Sequence, residues 1–346
     1  MILRKIRIFF QFLQQENLLK IVLILLMLVI VSAAGIAFFE RNMHYSDALW
    51  WSIVTLTTVG YGDISPVTTG GRVMAGIIMF LGIGLLGMFT ASIASIFVDQ
   101  KMKKDRGMSS YDFQNHIIIC EWNSRAREVL KELRSDTRCA AQPVILIAEV
   151  DIKPVDDENL FFIRGETTEE NLEKANIKHA KTVIIIGDER LNQNPRDAKA
   201  VLTTLAVESI NPQAYTIVEL ADESNIRHCE RANADEIIVG AEFSSKLISR
   251  AALNHGISKV ISELLTSKVG NDLLKIPVPA PLQGTPFLHV FTEMKRIHHS
   301  IVLGLQKSSN GQVFSNPSAD QLVEAGDHLI VIATSRKEQS SSRTKI

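Results

Sequence analysis

The sequence is poor in cysteine, nearly free of net charge, and lacks the glycine pattern of dinucleotide-binding turns. Only Cys120, Cys139 and Cys229 occur, far apart and never as a CxxC pair. So sparse and odd a set excludes a disulfide framework and points to reduced thiols in a cytoplasmic setting. Zinc-finger spacing is also absent. The 37 Lys and Arg residues face 38 Asp and Glu, a formal net charge of -1, so no overall basic field argues for nucleic acid.

Apolar residues are abundant, 46% of the 346, and they are unevenly placed. Two long apolar runs fall in the first hundred residues, and the rest reads as an ordinary soluble domain. The length allows two or three domains. The first run, "IVLILLMLVIVSAAGIAFF" (21–39), carries no charge. Roughly 20 such residues at a 1.5 Å rise cross a hydrocarbon core about 30 Å thick. The run exceeds the apolar stretch of about 7–15 residues in a secretory leader, and a second span follows it. That second run, "VMAGIIMFLGIGLLGMFTASIASIFV" (73–98), is long enough for a tilted or bent span. Arg4, Lys5 and Arg7 precede the first run, and Lys101, Lys103, Lys104 and Arg106 follow the second. Both termini are therefore expected on the cytoplasmic side of the cell's inner (plasma) membrane.

Between the spans lies "SDALWWSIVTLTTVGYGDISP" (46–66). Ser46 predicts a helix N-cap, with Asp47 favourable in the first turn. "ALWWSIVTL" is too short to span and predicts a re-entrant half-helix. Irregular backbone at membrane depth is tolerated only where protein buries it or where it lines a water-filled path. Gly60 and Gly62 permit dihedrals that other residues resist, and the carbonyls of four such loops can replace the hydration shell of a potassium ion.

Thr58-Val59-Gly60-Tyr61-Gly62 matches the potassium-channel signature, and the order span, pore helix, filter, span resembles the two-transmembrane potassium channels. The resemblance implies that the carbonyls of Thr58, Val59, Gly60 and Tyr61, with the Thr58 hydroxyl, coordinate the ions. It places Asp63 at the outer mouth and has Trp50 and Trp51 brace the filter. A single chain supplies one quarter of a filter, which implies a homotetramer in the lipid bilayer. A lone copy would leave its carbonyls unpaired in the membrane at about several kcal/mol per group. Gly82, in "FLGIG", is expected as the gating hinge, with helix packing through small residues (Gly76, Gly82, Gly84, Gly87) as the alternative. Ser92, Ser95, Ile96 and Phe97 are expected near the cytoplasmic constriction.

A polar segment (100–114) reads as a linker. From His116 the pattern changes to short apolar runs, "HIIICEW", "PVILIAE", "LFFIRG", "KTVIIIGD", "AYTIVEL" and "EIIVG", separated by helical stretches. This predicts a parallel, doubly wound Rossmann-like sheet. The expected division is a pore domain (1–99), the linker, an N-terminal lobe with its linking helix (115–257), a smaller α+β C-terminal lobe (258–336) and a disordered tail (337–346). In the C-terminal lobe, Asn310-Gly311 signals a hairpin turn, and His298-His299 is placed on a strand.

Together with the pore, this order resembles potassium channels that carry a cytoplasmic RCK domain (regulator of potassium conductance, also KTN). The likeness runs through "IIICEWNSRAREVL", "RGETTEENLEKANIKHAKTVII", "AEFSSKLISRAAL" and "LVEAGDHLIVIA". It implies an eight-domain gating ring beneath a tetrameric pore, with ligands in the N-terminal lobes acting on the inner helices.

The ligand is less plainly written. At the glycine positions of GxGxxG stand Glu121, Asn123 and Ala126. A carboxylate at Glu121 repels a pyrophosphate unless another group compensates it. Asn123 can cap the following helix, and Ser124 and Arg125 offer donors to phosphate. Glu149 ends the second strand, where an acid receives ribose hydroxyls; Arg164 ends the third, and Asp188 and Arg190 follow the fourth. These ends gather over the carboxyl edge of the sheet, which predicts a bound nucleotide, NAD or ADP or another adenine nucleotide. A ligand-free scaffold serving assembly is the alternative. Calcium is the rival ligand, with Glu121, Asp188, Glu219 and Asp222 as candidate oxygen donors. The paired-acid pattern that the resemblance implies after the fifth strand is incomplete, because Ala221 stands at its second position. His228 and Cys229 are adjacent on one helix and are not expected to share a zinc. A membrane-anchored NAD-dependent oxidoreductase would need a catalytic constellation that is not found. A regulatory subunit of a separate transporter would not need its own filter. The expectation is a ligand-gated potassium channel and not an enzyme.

Overall fold

The computed structural model describes residues 18–266 and 271–334. Arg4, Lys5 and Arg7, used above to orient the first span, and the tail 337–346 lie outside the described residues. The chain divides into two compact units, 1–104 and 105–346.

The first unit is built from α1 (Leu18–Phe39), α2 (Tyr45–Leu56) and α3 (Thr69–Asp105). The 22 residues of α1 reach about 33 Å, enough for a bilayer. On α1, apolar side chains such as Leu23, Leu26, Met27 and Ile30 are exposed, as a lipid-facing surface requires. Its buried stripe, Leu18, Ile21, Ser32, Ala33 and Ile36, faces its own unit. Ala33, Ile36, Ala48, Trp51, Leu56, Ala75 and Ile78 form one apolar cluster between the three helices. Ser32 and Ser52 share a fully buried hydroxyl–hydroxyl bond of 2.7 Å that ties α1 to α2. The expected cap at Ser46 is displaced: α2 begins at Tyr45, because the amides of Asp47 and Ala48 both donate to the His44 carbonyl. Helix α3 has 37 residues, about 55 Å, and continues through 100–105, which the sequence reads as linker. The reason is local. Asp99 and Lys103 pair at i,i+4 (2.6 Å), and Lys103 and Lys104 suit the negative end of the helix dipole.

In the second unit six strands lie in the order β3-β2-β1-β4-β5-β6, all parallel. They are β1 (His116–Cys120), β2 (Val144–Ala148), β3 (Leu160–Arg164), β4 (Ala180–Ile185), β5 (Tyr215–Leu220) and β6 (Glu236–Val239). Every residue of β1 and β2 is buried, the mark of a sheet covered on both faces. One face packs Ile118, Ile145, Val183 and Val218 with Leu172 of α5 (Glu169–Lys174) and with Ala200 and Val207 of α6 (Gln193–Ile210). The other packs Ile117, Ile119, Leu146 and Phe162 against Ala126 and Leu130 of α4 (Ser124–Ser135). Strand order reverses between β1 and β4, which opens a crevice at their carboxyl ends.

The remainder of the expected linker is not free chain. The Gly107 carbonyl accepts from the Arg164 amide (3.0 Å), the Tyr111 amide donates to Lys174 (2.8 Å), and the Tyr111 hydroxyl donates to the Phe162 carbonyl (3.2 Å). The rings of Tyr111 and Phe113 pack on Phe161 at 5.2 and 4.4 Å. Edge strand β3 offers unpaired backbone, and this segment takes it.

Helix α7 (Ile226–Arg231) precedes β6, and α8 (Gly240–Leu253) and α9 (Ile257–Leu264) follow it. Neither α8 nor α9 buries a residue within the chain. The C-terminal lobe is an antiparallel sheet, β10-β9-β12-β7, beside the short pair β11-β8 and helix α10 (Phe287–His298). Its strands are β7 (Asn271–Pro277), β8 (Thr285–Pro286), β9 (Ile301–Gln306), β10 (Val313–Ser315), β11 (Leu322–Val323) and β12 (His328–Thr334). Asn310 and Gly311 lie in the turn between β9 and β10, with Gly311 at φ 70°. His298 and His299 are not on a strand. His298 ends α10 and His299 caps it with a left-handed φ of 54°, because Phe287, Val290 and Met294 bury at helical spacing.

Gly107 generates a test. Its φ is +68°, and an added Cβ would overlap the Arg164 backbone nitrogen. Gly107→Ala should cost about 1–3 kcal/mol and expose the Arg164 amide to hydrogen exchange. An Arg164 amide as protected as in the parent would refute the docking of this segment on β3.

Candidate functional site

Two places concentrate chemistry. In the first unit, α2 ends against the stretch 58–62. The amides of Thr58, Val59 and Gly60 donate to the carbonyls of Thr55 and Val54 at 3.0–3.3 Å, so the first filter amides cap the end of the helix. Beyond them Thr58, Gly60 and Gly62 have φ of 61°, 59° and 74°. Left-handed residues at every second position break the side-to-side alternation that an extended strand imposes on its carbonyls. Among the described residues, no hydrogen bond reaches a carbonyl of 58–62.

Trp50 and Trp51 act differently from one another. The Trp50 indole donates to Asp63 Oδ2 (2.9 Å) and its ring stacks on Tyr61 at 6.1 Å, whereas Trp51 is buried in the cluster between the helices. Val59 and Tyr61 are exposed in the single chain. Glu40 went unnoticed in the sequence. It ends α1, is buried, and accepts from Val67 N (2.9 Å), Thr68 N (2.8 Å) and the Thr68 hydroxyl (2.8 Å), which pins the chain after the filter. Its signal was a carboxylate placed directly at the end of an apolar run. Gly82 is buried where a Cβ would strike the Leu56 side chain, while Gly76, Gly84 and Gly87 face open space, and α3 runs unbroken past all of them. Lower on α3, Ile96 is buried and Phe97 is exposed.

In the second unit the crevice between β1 and β4 holds a cleft of about 310 Å³, lined among others by Glu121, Asn123, Glu149, Asp188 and Arg190. Glu121, at the first glycine position, keeps a glycine-like φ of 75°. Asn123 caps α4: its carbonyl oxygen accepts from the Arg125 and Ala126 amides (2.9 and 3.0 Å), and its amide donates to the Gly187 carbonyl (3.0 Å). Two helix amides that would face a pyrophosphate are thus already paired. Ser124 is exposed at the start of α4. Arg125 pairs with Glu189 (2.7 Å) and with Glu219. Arg164 is turned toward Asp151 (2.8 Å).

The cleft floor is a network that the sequence did not reveal. The Lys199 ammonium, on α6, lies 2.6 Å from Glu121 Oε1 and 2.9 Å from Asp188 Oδ2. The Arg190 guanidinium grips Asp188 with two 2.8 Å bonds and reaches Glu149 (2.9 Å) and Glu121 (3.4 Å). Hydrogen bonds from Arg190 and Lys199 hold the Asp188 carboxyl well below the usual carboxylate range, against the opposing effect of burial. Burial raises Glu121, with Lys199 opposing. Burial alone would lower Lys199, but hydrogen bonds to Glu121 and Asp188 carry it above its ordinary value.

The four candidate calcium donors have other partners here. Glu121 and Asp188 meet over an ammonium and a guanidinium. Glu219 is turned to Arg125 and the Gly187 amide (3.1 Å), and Asp222 caps Ser224 N (2.9 Å). Among the described residues no group of three or more His, Cys, Asp or Glu is placed to hold a metal. Asp197 was also missed. It is buried on α6 and accepts from the amides of Ala221 (2.8 Å) and Asp222 (2.9 Å), which fixes the loop after β5. Lys199 and Asp197 stand in a helical stretch whose apolar period reads as scaffold.

Comparison with known proteins agrees with both places. Family profiles match an ion channel over 23–99, a TrkA-N domain over 117–240, and "Castor and Pollux, part of voltage-gated ion channel" over 241–346. The chain is 30% identical over 338 residues to the calcium-gated potassium channel TvoK of Thermoplasma volcanium, covering 95% of each. It is 31% identical over 337 residues to YugO of Bacillus subtilis, provisionally named a potassium channel protein, covering 94% of this chain and 99% of that one. Among solved structures, the human SLO3 gating ring aligns with 65% of this chain and 48% of its own at a TM-score of 0.54. Its 16% identity speaks of fold alone.

Two outcomes are expected. Gly82→Ala should lower the thermal stability of the membrane unit by roughly 1 kcal/mol through Leu56, with Gly84→Ala near neutral; equal effects would refute the close approach. Because Asp188 is depressed, its stabilisation is full above its unfolded value near pH 4 and is lost as pH falls toward the lower folded value. Acid unfolding of the parent should therefore exceed that of Asp188→Asn in pH dependence below about pH 4, and identical profiles would refute it.

Proposed function

The chain belongs to the prokaryotic potassium channels that join an ion-channel pore to an RCK-type regulatory region, and from that premise we propose that an intracellular adenine nucleotide, ADP or NAD, controls the pore. The carrying observation is the neutralised cleft floor. Glu121 would repel phosphate, and Lys199 together with Arg190 offsets that charge. Glu149 is half-exposed and is held by the half-exposed Arg190. An entering ligand can take over both groups, its ribose hydroxyls donating to Glu149 and its phosphate accepting from Arg190. With the Arg125 and Ala126 amides already capped by Asn123, phosphate contacts come from side chains more than from the turn. Ser124 and Arg164 are in reach of the rim only if their present positions change.

TvoK is named calcium-gated, and calcium is the second reading. The paired state of Glu121, Asp188, Glu219 and Asp222 favours the nucleotide.

In the pore, residues 58–62 of four copies would line the ion path, with Trp50, Trp51 and Asp63 supporting it and both chain ends in the cytoplasm of the cell. The bare apolar side chains of α8 and α9, Phe243, Ile248, Leu253 and Val260 among them, support coverage by a second copy and so the ring of eight domains. Gly82, packed on the pore helix, is the point where bending of α3 would alter filter support. The ligand can act only through its differential affinity for the two ring shapes, a tenfold preference being worth about 1.4 kcal/mol.

Planar-bilayer recording under a potassium–sodium gradient tests this, with ADP, NAD and calcium added separately to the side bearing the regulatory region. A potassium-selective current altered by ADP or NAD is expected, and Arg190→Gln should raise the required nucleotide concentration at least about tenfold. A response to calcium alone, or to none of the three, overturns the nucleotide reading.

A further inference from the structure

We propose that the Lys199 ammonium is a tethered cation: it occupies the place between Glu121 and Asp188 that a divalent ion would take, and it makes the cleft refuse such ions. The idea rests on the nucleotide reading only for what the cleft is then left to accept.

Position comes first. Lys199 Nζ sits at the convergence of two buried carboxylates, 2.6 Å from Glu121 Oε1 and 2.9 Å from Asp188 Oδ2. Both remaining oxygens of these groups face Arg190, at 3.4 Å for Glu121 Oε2 and 2.8 Å for Asp188 Oδ1. Calcium needs about 6–8 oxygens at 2.3–2.6 Å, and here each carboxylate oxygen already contacts a cation. Space points the same way. The void behind the floor, between Cys120, Thr167, Lys199 and Thr203, is only about 10 Å³, enough for at most one water beside the ammonium.

The cation cannot drift away, because its helix is fixed. Helix α6 buries Asp197, Ala200, Thr203, Thr204 and Val207, and the two oxygens of Asp197 hold the Ala221 and Asp222 amides. A free metal ion comes and goes with its concentration; an ammonium two residues from so firm an anchor does not. The charge balance then sets the ligand class. Glu121 and Asp188 are matched by Lys199 and Arg190, so these four floor groups carry no net charge and Glu149, which Arg190 also reaches, is left for the ligand's hydroxyls. Without Lys199 the floor becomes anionic, attracts a divalent cation and disfavours phosphate.

The test uses the full-length channel in nanodiscs, with calorimetric titration of calcium chloride alone and of ADP alone. The parent should take no calcium at this place. Lys199→Gln should gain calcium binding that a further Asp188→Asn abolishes, and should lose ADP affinity at least about tenfold. Lys199→Arg, which keeps the charge, should behave as the parent. Calcium binding by the parent that Asp188→Asn removes would overturn the proposal, as would a folded Lys199→Gln channel that takes no calcium. Should Lys199→Gln not fold, Lys199→Met decides: calcium binding that a further Asp188→Asn abolishes supports the proposal, and a folded Lys199→Met channel that takes no calcium overturns it. If the parent binds neither ADP nor NAD while Lys199→Gln gains calcium, the tethered cation stands and the nucleotide reading falls.

Discussion

Unpaired backbone carbonyl at membrane depth is the constraint from which the pore unit follows. Five successive residues, Thr58 to Gly62, present carbonyls that accept no hydrogen bond among the described residues. In hydrocarbon each would cost several kcal/mol, so a short re-entrant helix ending in such a stretch is viable only around a partner for those oxygens. The rest of the unit serves that stretch. Helix α2 gives its last carbonyls to the first filter amides, Trp50 holds Asp63 beyond the last glycine, and Glu40 fastens the descending chain to the outer helix. Left-handed dihedrals at 58, 60 and 62 are the local cost, borne without penalty at two glycines and with strain at Thr58.

The regulatory unit is organised by a different economy, that of charge in a partly buried crevice. A glycine-rich turn would let a pyrophosphate meet bare helix amides. Here the same backbone bend survives at Glu121, but its side chain enters the space, and Asn123 satisfies the amides. Buried carboxylates demand paired cations, and Lys199 and Arg190 arrive from two different elements to meet them. Under the nucleotide proposal, recognition at this turn passes from backbone to side chains. Such a site is more easily retuned, because one substitution changes its net charge.

How much of this was legible depends on the range of the interaction concerned. The two apolar helices and the six parallel strands are carried by residues adjacent in sequence, and the structure places those elements where the pattern implied them. What stayed hidden was non-local. Lys199 is 78 residues from Glu121, and Glu40 is 28 from Thr68. Nothing in an amphipathic stretch such as "PRDAKAVLTTLAVES" says which lysine will turn inward. His298 and His299 were misread because a few apolar residues fit both a strand and the end of a helix, and only burial of Phe287, Val290 and Met294 decides. Segment 100–114 looked like a linker because polarity was taken for looseness, although Tyr111 and Phe113 already marked it as a packing surface.

The docking of 107–113 bears on how, under the proposed function, a ligand's modest free energy would reach a gate. A slack tether would dissipate any change of shape into chain entropy, since each residue released recovers about 1–2 kcal/mol of backbone freedom. Here α3 stays helical to Asp105, and two residues later the Gly107 carbonyl is bound to β3. From there the chain is held by Tyr111 and Phe113 until it enters β1, whose far end is Glu121. Under the proposed function, a shift in the cleft floor would act on a strand that is continuous with docked backbone. The regulatory argument then needs no long-range wire through the protein. It needs only that the covalent path from Glu121 back to Asp105 be shorter in slack than the displacement it transmits, and hydrogen bonds at 107 and 111 remove most of that slack.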